Sequence, residues 1–290
     1  MRKKVLQDYD FRGSIIIAKT ETASIYLLNN GDILKIYNPG IIDNHKKLGI
    51  DIESKILSAV PIKQSPEIIV PTTAVYDKHG QFCGYIMPRA NGIDFNSYDA
   101  SLTMEQRRDL NQYAEVHYKL ESVLRRNPNI VFPDFCTCDN IFIDSRKNIQ
   151  FIDYDGLQVG THRTLSISTS IGEIAAHLNN SKYCKDKWYF TKELDKKSSI
   201  ILFYLTAFNI DLNKVGMIDP YSGTPITLED VFSIINLDDP DICHKTYKIF
   251  DDSQPNEYLG NDILNLGEKY DVQFMGGNGT AFMKRLIRKK

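Results

Sequence analysis

The sequence predicts an α+β protein of two lobes, a small strand-rich one over residues 1–90 and a larger, mainly helical one over residues 91–290. Three observations carry this. Short apolar runs separated by turn residues fill the chain from Gly13 to Met87. Pro88-Arg89-Ala90-Asn91-Gly92 then interrupts the pattern as a linker. From Thr103 onward, apolar residues recur at the three-to-four spacing of buried helix faces.

The small lobe reads as a five-stranded antiparallel sheet with one helix. Gly13–Ala18, Ser24–Leu28 and Ile33–Tyr37 are its first three strands. Asn29-Asn30-Gly31-Asp32 joins the last two, because Asn-Gly accepts the positive φ angles of a tight hairpin. Pro39-Gly40 ends that segment, and a helix is expected over Asp43–Val60, stopped by Pro61. Ile68–Tyr76 and Phe82–Met87 flank the turn Asp77-Lys78-His79-Gly80 and complete the sheet.

In the large lobe, Thr103–Arg126 sets Leu110, Tyr113, Ala114, His117, Leu120 and Leu124 on one helical face, apolar but for the histidine. Thr191–Asn209 has an acidic start and an apolar centre too dense for a surface helix, so it is expected to be buried. Thr227–Ile235 and Asn261–Lys269 are opened by the N-cap residues Thr227 and Asn261. The C-terminal segment is expected to form one more helix.

Chemistry concentrates between Val131 and Gln158. That stretch sets Asp134, Asn140, Asp153 and Asp155 around two apolar runs, Ile141–Ile143 and Ile149–Ile152. Carboxylates and an amide at opposite ends of a β-hairpin can converge on one point. Oxygen ligands of that kind suit a Mg²⁺ ion carrying nucleotide phosphates. Singly, each acid is also an ordinary turn residue. Taken with Lys35 and Glu53 upstream, the set points to phosphoryl transfer.

These residues resemble the protein-kinase-like superfamily. Lys35, within Ile33-Leu34-Lys35-Ile36, falls where kinases hold the α- and β-phosphates, and Glu53 falls where they carry the glutamate that pairs with that lysine. Asn140 and Asp153 have the interval between the two metal-holding residues of the family. The resemblance runs from about residue 13 to 210. Gly84–Arg89 (Gly-Tyr-Ile-Met-Pro-Arg) and Ile152–Val159 (Ile-Asp-Tyr-Asp-Gly-Leu-Gln-Val) are similar to strings in a divergent bacterial-type branch of it. It implies a bilobal protein-kinase-like fold with ATP and Mg²⁺ as cofactors. Lys35 and Glu53 would hold the nucleotide; Asn140, Asp153 and Asp155 would bind metal; Asp134 would be the general base, with Asp139 competing for that role. Ala18, Thr20 and Ala23 occupy the phosphate-covering loop, and Met87, Pro88 and Ala90 the adenine-binding hinge.

The departures from the family pattern are specific. Phe132-Pro133-Asp134 replaces His-Arg-Asp, and Asp153-Tyr154-Asp155-Gly156 replaces Asp-Phe-Gly, closer to small-molecule kinases. The phosphate loop has no glycine, and Glu21 adds a negative charge beside it. No Ala-Pro-Glu follows Asp153, although Thr161–Ser170 offers hydroxyls where an activation segment would lie. Asp195 opens the apolar helix where kinases anchor their catalytic loop, but an acid also suits any helix start. The implied activity is transfer of the ATP γ-phosphoryl to a Ser/Thr hydroxyl of a protein. The alternatives are a pseudokinase serving as a nucleotide- or partner-binding module, and a phosphotransferase acting on a small hydroxylated molecule.

Bulk properties narrow the setting. With 35 basic and 37 acidic residues the net charge is −2, which offers no footprint for nucleic acid or a membrane surface. No apolar run approaches the roughly 20 residues of a membrane span. Met1–Asp10 lacks the apolar core of a signal peptide. Five scattered cysteines predict a reducing, cytoplasmic compartment, and Cys136-x-Cys138 lacks the further ligands of a zinc site. The basic tail Lys284–Lys290 reads as a solvated helix end, with a regulatory protein partner as the alternative.

Overall fold

The computed structural model describes residues 1–6, 12–59, 66–133, 139–162, 182–186, 189–275 and 284–290. Within them the chain is α+β, with a mixed six-stranded sheet and nine α-helices. The sheet contains β1 (Arg2–Val5), β2 (Ile15–Lys19), β3 (Ala23–Leu27), β4 (Ile33–Tyr37), β5 (Thr73–Tyr76) and β6 (Phe82–Met87), in the order β1-β5-β6-β4-β3-β2. Five strands pair antiparallel as expected. The five-strand count is corrected by β1, which adds to the edge of β5 in parallel, Arg2 opposite Thr73. Arg-Lys-Lys-Val carries no apolar alternation, so nothing in its pattern signals a strand.

Alternation along the inner strands gives the sheet two faces. Ala23, Ile33, Tyr37, Ala74, Tyr85 and Met87 face the main core, while Leu34, Val75 and Ile86 form a thin cluster on the other side. The single helix expected over 43–60 is instead two, α1 (Ile41–Lys47) and α2 (Ile52–Leu57). Gly49 breaks them at φ +76°, and Asp51 starts the second by accepting from Ser54 N at 3.0 Å.

Beyond the linker lie β7 (Ile93–Asp94), α3 (Phe95–Ser101), α4 (Met104–Arg108) and α5 (Asn111–Arg126). The helix expected over 103–126 is interrupted at Asp109, whose ψ of 104° leaves the helical region and whose carboxylate accepts from Asn111 N. Three short strands follow, β8 (Ile130–Val131), β9 (Ile141–Ile143) and β10 (Ile149–Phe151), the last two forming a hairpin with Ile149 opposite Ile143. Next come β11 (Gln158–Val159), β12 (Cys184–Asp186), β13 (Tyr189–Phe190) and α6 (Lys192–Phe208). Helix α6 is capped by the Thr191 side chain and ends at Asn209, which takes the left-handed conformation. It is buried over most of its length, packing on α5.

The last elements are α7 (Leu228–Ile235), α8 (Pro240–Lys248), α9 (Asn261–Lys269), β14 (Tyr270–Met275) and β15 (Lys284–Lys289). Thr227 caps α7 in a reciprocal pair with Asp230. Asn261 is not the N-cap of α9; Gly260 precedes the helix, and its N–H donates to the buried Glu121. The C-terminal helix is overturned: β14 and β15 pair antiparallel, Tyr270 opposite Lys289. Tyr270 and Val272 are buried while Gln273 is exposed, a period of two that excludes a helix. Nor is the whole tail solvated, since Arg285 turns inward to Asp99, at 3.0 Å, and to the Thr206 carbonyl, at 2.7 Å. No described helix is long and apolar enough to cross a membrane.

His117 is fully buried on α5. Its Nε2 lies 2.9 Å from Thr206 Oγ1, whose own hydrogen goes to the Leu202 carbonyl, so Nε2 carries the proton. Burial lowers its pKa from the usual 6.5 to about 3. The unfolded chain therefore takes up a proton across that window that the folded chain refuses. His117 favours folding above the unfolded value, and this is lost as pH falls, at about 1.4 kcal/mol per pH unit. Denaturant titrations of His117→Gln between neutral and acid pH should show a shallower loss of stability than the native chain. Parallel curves would contradict the buried neutral ring.

Candidate functional site

Strand β4 turns Lys35 to the inner face of the sheet, between the inward Ile33 and Tyr37, where only 8% of it is exposed. An ammonium so placed requires charged partners. They arrive from a turn 118 residues later in the chain. Lys35 Nζ lies 2.5 Å from Asp153 Oδ1, and 2.8 and 3.0 Å from the two oxygens of Asp155. Asp155 also accepts from Tyr37 Oη at 2.7 Å and Tyr85 Oη at 2.5 Å. Tyr37 is two residues along the same strand, and Tyr85 stands opposite Lys35 in register. One sheet face thus presents the ammonium and both phenols together.

The two carboxylates are driven in opposite directions. Burial acts to raise Asp155, but Lys35 and the two tyrosine hydroxyls outweigh it and hold it well below the usual carboxylate range. For Asp153, burial and then the charge of Asp155 dominate, so its pKa is raised despite Lys35. Its side chain keeps 21% of its surface exposed against 4% for Asp155, so solvent softens that rise. Burial likewise pulls Lys35 down, yet Asp153 and Asp155 leave it above the ordinary lysine value. Lys35 is a firm cation.

The turn that delivers these acids is locally constrained. Asp153 adopts φ 62°, ψ 54°, an uncommon left-handed conformation for a non-glycine residue. Gly156 backs it closely: a Cβ at 156 would sit 2.6 Å from Asp153 Oδ2. A second lysine pins the turn from behind. Lys55 of α2, about 1% exposed, donates to the Asp155 carbonyl at 2.6 Å and to the Leu157 carbonyl. Burial draws its pKa down to about 7, against the pull of Asp155 and Asp153.

Several expected roles are corrected. Glu53 does not pair with Lys35; it accepts from Tyr76 Oη at 2.9 Å. Because α2 begins only at Ile52, its inward stripe is Ile52, Lys55 and Ile56, and Glu53 falls off that stripe. Asp155 is not disposed as a metal ligand, because its two oxygens already accept four hydrogen bonds. In the loop over Ala18, Thr20 and Ala23, the N–H groups of Thr20, Thr22 and Ala23 are already used within the turn. Thr20 Oγ1 accepts from Ala23 N at 3.0 Å and Thr22 N at 3.3 Å, closing the turn on itself, and Ala23 is wholly buried while Ala18 is an exposed strand residue.

Asn140 and Asp153, by contrast, line one narrow cavity with Phe132, Ile152 and Gly156. At the linker, Met87 and Ala90 are buried and Pro88 exposed, and Asn91 N donates to Gln150 at 2.6 Å, tying the segment to β10. Asp134 lies outside the described residues, as do Cys136, Cys138 and 163–170. Asp139 is exposed and accepts from Asn96 of α3 at 3.1 Å. Just ahead of Asp134, Phe132 N donates to the buried Asp195 at 2.8 Å, and Lys192 bridges the same carboxylate. Among the described residues no cluster of three or more His, Cys, Asp or Glu is arranged to hold a metal.

No family model matches the chain, and no curated protein matches it.

Lys55 carried no signal in the sequence, since a lysine in a short helix reads as solvated. With its folded pKa near 7, the unfolded chain holds a proton up to about 10.5 that the folded chain releases. Stability should therefore rise with pH across that window, by up to about 1.4 kcal/mol per unit. Lys55→Met should remove this rise in denaturant titrations. An unchanged slope would place the Lys55 amine in solvent.

Proposed function

We propose that the chain is a bilobal protein-kinase-like phosphotransferase, moving the γ-phosphoryl of ATP, with Mg²⁺, to a hydroxyl, with a protein Ser/Thr as acceptor. One observation carries the reading. Lys35 on the sheet meets Asp153 from a turn 118 residues away, and Asp153 shares the wall of a narrow cavity with Asn140. Phosphoryl transfer needs little covalent chemistry from the protein and much positioning and charge stabilisation. An ammonium beside a carboxylate and an amide supplies both. The Asp195 bond to Phe132 N supports the reading further, since it fixes the backbone leading into Asp134.

The donor set fits Mg²⁺ at Asn140 and Asp153, a carbonyl and a carboxylate oxygen, and does not fit it at Asp155. Bound there, the ion would neutralise charge on the phosphate oxygens. Lys35 Nζ would donate to those oxygens while Asp155, Tyr37 and Tyr85 keep it protonated and in place. Asp134 would take the proton from the acceptor hydroxyl. A second reading, nucleotide or partner binding without transfer, is favoured by the closed Thr20 turn, in which the Thr20, Thr22 and Ala23 N–H groups are already used.

Incubation with labelled ATP and Mg²⁺, offering generic proteins and hydroxylated metabolites separately, tests this. Label should reach protein, and Asp153→Ala should lower transfer at least about a hundredfold, the usual cost of one charge-stabilising group. Label on metabolites alone would move the acceptor to small molecules. No transfer, with ATP still raising the melting temperature, would leave the binding role. Neither transfer nor stabilisation would overturn the nucleotide site.

A further inference from the structure

We propose a second anion site, on the outer face of the sheet, for a phosphorylated and hydroxyl-bearing small molecule. A cavity of about 720 Å³ opens there, within the roughly 300–1,000 Å³ typical of small-molecule sites. Strand alternation brings cations to it. Lys3 sits over the Tyr76 ring on the inner side, 5.5 Å from its centroid, so Arg2 and Lys4 turn outward. Arg12 enters from the far wall, its carbonyl held at 2.8 Å by the Asn29 amide of the β3–β4 turn.

Among the described lining residues, the guanidiniums of Arg2 and Arg12 share the cavity with one carboxylate, Asp32. Among the described residues, no acid lies within ion-pair distance of Arg2 or Arg12. Guanidiniums are suited to phosphate oxygens, which they bind through fixed N–H forks. Asp32, Asn30 and Thr73 offer acceptors and donors for hydroxyl groups, and Leu28 with Ile86 supplies an apolar floor. The cavity is separate from the Lys35 centre. Ile86 faces it, whereas the preceding Tyr85 reaches through to Asp155 on the other side. The site therefore stands whether or not the chain transfers phosphate.

Calorimetric titration of the full chain with pyrophosphate and with ADP, in EDTA, tests the site. Both probes should bind the native chain, and affinity should fall with added salt. Arg2→Glu/Arg12→Glu should weaken binding at least about tenfold, the least that losing a charge-assisted contact costs. Arg2→Gln/Arg12→Gln, melting as the native chain does without ligand, should weaken it in the same sense, which separates a lost site from a lost fold. No binding to the native chain, or binding untouched by the arginine changes, would each overturn the proposal. Binding of an acidic peptide but not pyrophosphate would also overturn it.

Discussion

The buried ion cluster at Lys35 is the interaction on which the rest of the structure depends. Moving an ammonium from water to a site 8% exposed carries a penalty of several kcal/mol that only close partners offset. Asp155 supplies one, and its own burial is offset in turn by Tyr37 and Tyr85. The strand-rich N-terminal region and the β9–β10 hairpin that precedes the acids are thereby joined by charge as well as by apolar packing. The joint is backed from α2 by Lys55, which fastens the carbonyls of the same turn. A change at any of these groups leaves another buried charge or carbonyl without its partner.

Within the cluster, two aspartates separated by one residue do different work. Asp155 is saturated, strongly acidic and enclosed, so it acts as the standing counter-ion of Lys35. Asp153 is raised by burial and by its neighbour, keeps some exposure, and shares a cavity with Asn140. Environments that push two like groups apart are how one site supports two roles. The more open carboxylate is the one that solvent can reach, and the left-handed backbone at Asp153, with Gly156 behind it, sets that carboxylate against Lys35.

Much of this was legible in the residues, and the failures have physical causes. Asn30-Gly31 set the β3–β4 hairpin, and Thr191, Thr227 and the dense apolar run of α6 marked their helices, because local turn and cap chemistry is strong there. Lys35 could be singled out because a charged residue among apolar strand residues needs a reason, and Asn140 and Asp153 because their interval resembles that of a metal-holding pair. Glu53 was misassigned and Lys55 overlooked because the inward stripe of a six-residue helix depends on where it starts, and Gly49 moved that start. Strand β1 was missed because its pairing is set by β5, distant in sequence, while its own residues are mostly charged; the C-terminal hairpin was missed because the basic run of β15 reads as a solvated helix end. The role of Asp155 was hidden for the same reason: its saturation comes from tyrosines on strands that only the folded sheet brings near.

The most direct measurement of the Lys35–Asp155 interaction is a double-mutant cycle on unfolding free energy, using Lys35→Met, Asp155→Leu and the two together. A buried, mutually dependent pair predicts that each single change is strongly destabilising and that the double change costs about 1–3 kcal/mol less than their sum. Additivity within about 0.5 kcal/mol would show that the two groups do not hold each other, and would contradict the ion cluster as the organising centre.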